Sequence, residues 1–166
     1  MKKIHSFQEK LKEGEAFERE LDNHFSKWYQ IEKVNIKTQR KMGIDRIFKN
    51  RFDGKIIKVE YKADSAAGKT GNIFVETISN SKSGAEGWAI KCQADIVIYF
   101  IPMTGELIAV RPIDILLNLP RWIATYKKAP AFNSSYRSFG RLVPIEEFKK
   151  QAVYTRKISI KQAEAS

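Results

Sequence analysis

Hydrophobic positions near the start of the chain recur at three- and four-residue steps: Phe7, Leu11, Phe17, Leu21, Phe25 and Trp28, with Gly14 in the same row. That period predicts a long amphipathic helix, and Ser6 with Glu9 fits a capping box at its start. The pattern then shortens. Gly43 to Phe48 and Lys55 to Lys62 alternate or run apolar over strand-length windows, and Asp53-Gly54 between them signals a hairpin. Asn72 to Thr77 predicts a further strand, Ser79 to Gly87 an exposed loop, and Trp88 to Ala94 a short helical or turn segment. The near-continuous apolar run from Asp95 to Ile101 suits a central buried strand. Leu107 to Val110 predicts another strand, and Pro112 opens a helix through Leu119 that Pro120 ends or kinks. Gly140 to Pro144 reads as a last short strand before a helix at Ile145 to Gln151, and Lys157 to Ser166 as a frayed tail. The expectation is an α/β fold in one domain over residues 1–156, with a core at about 6–111 and a basic, aromatic part at about 112–156.

If Asp53 and Gly54 form a two-residue loop, Phe52 pairs with Lys55 and Asp45 lies opposite Lys62. Glu60 is then the diagonal neighbour of Asp45 on the same face. Ile57, Val59 and Tyr61 occupy the other face and are expected to pack on a core. Two carboxylates and one ammonium converge on one patch. A surface ion pair explains such a patch, at about 0–1 kcal/mol. So does a metal site: acidic oxygens on adjacent strands suit Mg²⁺, which keeps several waters and also takes substrate phosphate. A lysine two residues along can orient water or offset charge on the phosphate. Glu18, at the edge of the helical stripe, is an acid that needs a partner or a cation.

Composition narrows the partner. The 166 residues hold 30 Lys and Arg against 19 Asp and Glu, a formal net charge of +11. Such an excess points to polyanions, nucleic acid first. One cysteine, Cys92, excludes an intramolecular disulfide and fits a reducing cytosol. No segment resembles a signal peptide or reaches membrane-spanning length, so a cytoplasmic protein of a prokaryotic or phage-infected cell is expected. His5 and His24 stand apart from each other and from cysteine, which argues against zinc. Ala63-x4-Gly68-Lys69-Thr70 is one glycine short of a phosphate-binding loop and precedes a strand rather than a helix, which argues against an ATPase.

Gly14-x-x-x-Glu18 on a first helix, then Asp45, then Glu60-Tyr61-Lys62, resembles the PD-(D/E)XK nuclease superfamily. The helix motif is most similar to archaeal and phage-type Holliday junction resolvases, and the resemblance covers roughly the first hundred residues. It implies a restriction-endonuclease-like core: a central mixed β-sheet with an antiparallel meander, flanked by helices. It also implies a Mg²⁺-dependent (or Mn²⁺-dependent) endodeoxyribonuclease with Asp45 and Glu60 as metal ligands and Lys62 as catalytic lysine. Glu18 would be an auxiliary acid on the metal or its water. Ile44 stands where the family motif has proline. A homodimer or higher oligomer acting on duplex or branched DNA is expected. A sequence-specific homing or restriction-like endonuclease is the competing reading, and a non-catalytic basic nucleic-acid-binding subunit is the alternative of another class.

Candidate DNA contacts are Lys69 in the small-residue loop, Lys91 and Gln93 after the Glu-x-Lys strand, and Lys127, Lys128 and Arg137 in the basic, aromatic third. The Lys127–Ala131 and Asn133–Ser135 stretches read as exposed loop, where cations meet phosphates and Phe132 or Tyr136 can stack on an unpaired base.

Overall fold

The computed structural model describes residues 7–133 and 135–159. Helix α1 (Phe7–Phe25) has the predicted period, and Leu21 and Phe25 on it are buried. Leu11 is 53% exposed and Trp28, beyond the helix end, 44% exposed, so only the later half of the stripe is core. Ser6 of the capping box lies outside the described residues.

Three antiparallel strands follow: β1 (Tyr29–Lys33), β2 (Arg46–Asn50) and β3 (Ile56–Ala63). Helix α2 (Ile36–Met42) sits between β1 and β2. The Asn35 side chain caps it by accepting from the Thr38 N–H at 3.0 Å, and Gly43 ends it at φ 61°. Gly43 also permits close packing, because a Cβ there would meet Cys92 Cα at 3.1 Å.

Strand β6 (Ile96–Ile101) runs parallel to β3 and antiparallel to β7 (Glu106–Val110). With β10 (Ala152–Lys157) at the far edge they form a six-stranded mixed sheet, order β1-β2-β3-β6-β7-β10. A second, four-stranded sheet has the order β5-β4-β9-β8, from β4 (Asn72–Asn80), β5 (Ala85–Glu86), β8 (Lys128–Phe132) and β9 (Arg137–Pro144). Helices α3 (Ala67–Thr70), α4 (Trp88–Lys91), α5 (Pro112–Thr125) and α6 (Ile145–Lys149) complete the described chain.

The apolar run in β6 has a simple cause. Ile98 and Phe100 pack with Leu21 and Phe25 of α1, while Val97, Tyr99 and Ile101 join a cluster with Val75, Trp122 and Phe148. Both faces of this strand are covered, so neither can be polar. Each such side chain contributes about 1.5–3 kcal/mol on full burial.

Three expectations give way to tertiary context. Of the two outcomes expected at Pro120, ending the helix is the one that does not occur; Ile115, Leu119 and Trp122 are buried and hold α5 through it. Lys128 to Phe132 is a strand rather than a loop, because β9 pairs it from Lys128–Arg141 to Phe132–Arg137. Ala152 to Lys157 is the edge strand beside β7, so Lys157 belongs to the sheet, and 160–166 of the expected tail lie outside the described residues. Among the described residues no helix is long and apolar enough to cross a membrane.

Candidate active site

The turn between β2 and β3 is longer than two residues. Asn50 N–H donates to the Lys55 carbonyl at 2.8 Å, and Gly54 N–H to the Asn50 carbonyl at 2.9 Å. Asn50 and Asp53 side chains accept from the Phe52 and Lys55 amides, which stabilises a four-residue loop over Arg51–Gly54. The register pairs Arg46 with Val59. Continued by one residue, it places Asp45 beside Glu60, not opposite Lys62. A slip of two residues preserves which face each side chain takes, so the three charges still converge.

Glu60 is 5% exposed, and its Oε1 lies 2.5 Å from Lys62 Nζ. Its Oε2 is buried with no hydrogen-bond partner. Asp45 Oδ2 accepts from the Tyr61 N–H at 2.8 Å, which fixes this carboxylate against β3. Burial, and then the charge of Glu60, push the Asp45 carboxyl up to about 6, against the pull of Lys62 and the Tyr61 amide. Burial disfavours the Lys62 ammonium, but Glu60, Asp45 and Glu76 outweigh it and raise its pKa. Lys62 is therefore a fixed positive charge.

Glu18 is placed differently from this trio. Its Oε2 accepts from Arg46 Nη2 at 2.8 Å, and Asp22, one turn on, accepts from Arg46 Nε at 3.0 and 3.1 Å. Arg46 is 2% exposed, stacks 5.3 Å from the Tyr61 ring, and donates to the Asp45 carbonyl at 3.1 Å. Tyr61 Oη also donates to Asp22, at 3.0 Å. This network clamps α1 onto the back of β2 and β3. Glu18 nevertheless lines, with Gly14, Tyr61 and Lys62, a cavity of about 230 Å³. Among the described residues no three acidic, histidine or cysteine side chains form a group placed to hold a metal.

Sequence reasoning passed over Glu76. It lies on β4 and shares with Lys62, Asp64, Trp88 and Tyr99 a cavity of about 220 Å³. Burial raises its pKa, while Lys62, the Trp88 amide, the Ser138 hydroxyl and Lys91 pull it back. Gly87 lets the backbones meet here, since a Cβ would fall 2.3 Å from the Glu76 carbonyl oxygen. The second sheet thus brings an acid to Lys62 from across the cleft. Nothing in the local alternation Ile73, Val75 against Phe74, Glu76 distinguishes this glutamate from a solvated strand residue; only the tertiary placement does. Asp64 is structural, accepting from the Ala66 and Ala67 amides at 2.9 and 3.0 Å and from Tyr99 Oη at 2.7 Å. Burial raises the Cys92 thiol to about 11, so it stays neutral and donates to the Gly43 carbonyl.

The candidate DNA contacts scatter over three regions. Lys69 is exposed on α3. Lys91, half-buried at the end of α4, donates to the Arg40 carbonyl at 3.3 Å, and the exposed Gln93 follows it. Lys128 and Arg137 are exposed on the second sheet and Lys127 just before it, with Lys128 over the Phe139 ring at 4.6 Å and Arg137 over Phe132 at 5.0 Å. A cavity of about 500 Å³ holds none of the candidate residues; it is an apolar groove by Trp28, Tyr29, Ile57 and Val153.

The residues present fit a hard cation in one respect: a buried carboxylate oxygen without a hydrogen-bond partner, beside a second carboxylate, offers a cation two acidic ligands at one point. Asp45 and Glu60 would hold it, with waters and phosphate in the remaining positions. In comparisons with known proteins, no family model, curated protein or solved structure matches this chain.

Proposed function

We propose that this protein is a Mg²⁺-dependent endodeoxyribonuclease of the PD-(D/E)XK kind, acting on branched DNA in the manner of a Holliday junction resolvase. The observation that carries the reading is the buried Glu60, with its unpartnered oxygen, next to the half-buried Asp45 and a charged Lys62. Asp45 and Glu60 would hold Mg²⁺, which supplies Lewis-acid polarisation of a phosphate oxygen and a more acidic water. Lys62, kept protonated by its carboxylate neighbours, offsets negative charge as it builds on the phosphate. Asp45 is ordered by the Tyr61 amide and by Arg46, which binds its carbonyl, so the acid arrives pre-positioned. The charge of Glu76, on the second sheet, adds to the pull that keeps Lys62 protonated.

The preference for branched DNA rests on the Gly14–Glu18 helix. A Cβ at Gly14 would have no heavy atom within 4 Å, so the helix backbone borders open space beside Lys62's cavity, where a strand can approach. A homodimer cutting two strands belongs to the same proposal. The alternative of another class, a non-catalytic nucleic-acid-binding subunit, draws on the internal pairing of Glu60 with Lys62 and of Glu18 with Arg46. Cleavage assays on a linear duplex and a four-way junction, each with Mg²⁺ and with EDTA, separate them. Metal-dependent cleavage with preference for the junction is expected. Equal cutting of both points to a restriction-like enzyme, and binding without cutting to the subunit.

A further inference from the structure

The second sheet carries a surface whose chemistry the cleavage site does not use. Side chains alternate along paired strands, so Lys128, Pro130 and Phe132 of β8 share one face with Arg141, Phe139 and Arg137 of β9. The rungs are Lys128–Arg141, Pro130–Phe139 and Phe132–Arg137, about 7 Å apart along the strands. Phe132 is 64% exposed with the Arg137 guanidinium 5.0 Å from its ring, and Lys128 Nζ lies 4.6 Å from Phe139. From Arg121 to Pro144 the chain has five Lys and Arg and no Asp or Glu. Among the described residues none of Lys127, Lys128, Arg137 and Arg141 forms an ion pair, whereas Arg121 pairs with Glu147. Cations over rings on a ladder, without acids, complement a polyanion that also presents flat apolar faces.

We infer that the outer face of β8 and β9 is a platform for an unpaired DNA strand, with Phe132 stacking on a base and Lys128, Arg137 and Arg141 meeting phosphates. A perfect duplex keeps its bases inside and offers this ring nothing to stack on, while unpaired nucleotides offer a π-face at every step. The edge is not set up for strand addition by a protein partner: Pro130 removes an N–H from the middle of β8. The inference rests on the nuclease reading only for its place in a branched substrate; binding itself needs no hydrolysis.

The test therefore measures binding and cutting separately. Fluorescence anisotropy in EDTA compares a labelled oligo(dT) with a blunt duplex of the same length. Phe132→Ala should weaken the single strand roughly 5- to 100-fold and change duplex affinity less than about 2-fold. Lys128→Ala and Arg137→Ala should weaken the single strand and reduce its salt slope by about 0.7 each. Phe132→Trp should restore affinity, and its emission should be quenched on adding oligo(dT). Equal losses on both DNAs with Phe132→Ala, or an unquenched tryptophan at saturating oligo(dT), would overturn the platform. Absence of Mg²⁺-dependent cleavage by the wild type would sink the nuclease reading and leave these outcomes intact.

Discussion

Replacing Asp45 by asparagine should stabilise the metal-free protein at neutral pH. The folded-state carboxyl titrates at about 6 against an ordinary value of 3.8, because burial and Glu60 oppose its charge. A group raised in this way contributes stability that is complete below pH 3.8 and is lost as pH rises through about 6. At about 1.4 kcal/mol per pH unit, forcing the charge costs the fold up to about 3 kcal/mol. Asparagine mimics the neutral acid, and its side-chain carbonyl can still accept the Tyr61 N–H that Asp45 accepts at 2.8 Å. Asp45 is only half-buried and solvent screens part of this cost, so the gain at pH 8 should be about 1–3 kcal/mol. For a domain of this size that is a melting temperature higher by roughly 3–10 °C. Thermal unfolding in EDTA from pH 4 to 8 measures it: the two proteins should coincide near pH 4 and separate through pH 6. Mg²⁺ should raise the wild-type melting temperature at pH 8 and leave the variant unmoved. An asparagine variant less stable than wild type by the same margin at every pH would refute the reasoning.

Three further outcomes follow from the same geometry. Glu76→Gln should slow Mg²⁺-dependent cleavage by about 10- to 100-fold, of the order expected when one positioned charge is lost, while DNA affinity measured with Ca²⁺ stays unchanged. Arg46→Met strands Glu18 and Asp22 against the sheet and should cost about 3–5 kcal/mol in denaturant unfolding. Lys127→Ala with Lys128→Ala should weaken binding to all DNA sequences and flatten its dependence on salt, as phosphate contacts do.

Much of this was legible before the structure. Period-two alternation placed Val59 and Tyr61 in the core and the charges opposite them, and the apolar run before Met103 announced a strand buried on both sides. Asp45, Glu60 and Lys62 were legible as a trio because strand faces survive a register slip of two residues. The exact pairing was not, because Asn50 and Asp53 close a longer turn than Asp53-Gly54 suggests. Helix α2 left a readable trace, Asn35 before it and Gly43 after it, that hydrophobic period alone does not capture. The second sheet is non-local: β4 finds β9 across more than sixty residues, and Lys128 to Phe132 has no strand pattern of its own. Glu76 belongs to the site only through that pairing. Glu18 shows the opposite limit, since its helical position was right and its Arg46 partner was hidden in β2.

The central claim is that Asp45, Glu60 and Lys62 hydrolyse DNA, and one set of parallel assays tests it most directly. Wild type, Asp45→Asn, Glu60→Gln and Lys62→Met, each shown to be folded, are compared for cleavage of a four-way junction in Mg²⁺ and for binding to it in Ca²⁺. All three variants should lose cleavage by orders of magnitude. Binding should hold, or rise for Asp45→Asn, where one carboxylate no longer repels phosphate. Full cleavage by Asp45→Asn, or cleavage by the wild type that persists in EDTA, would contradict the account.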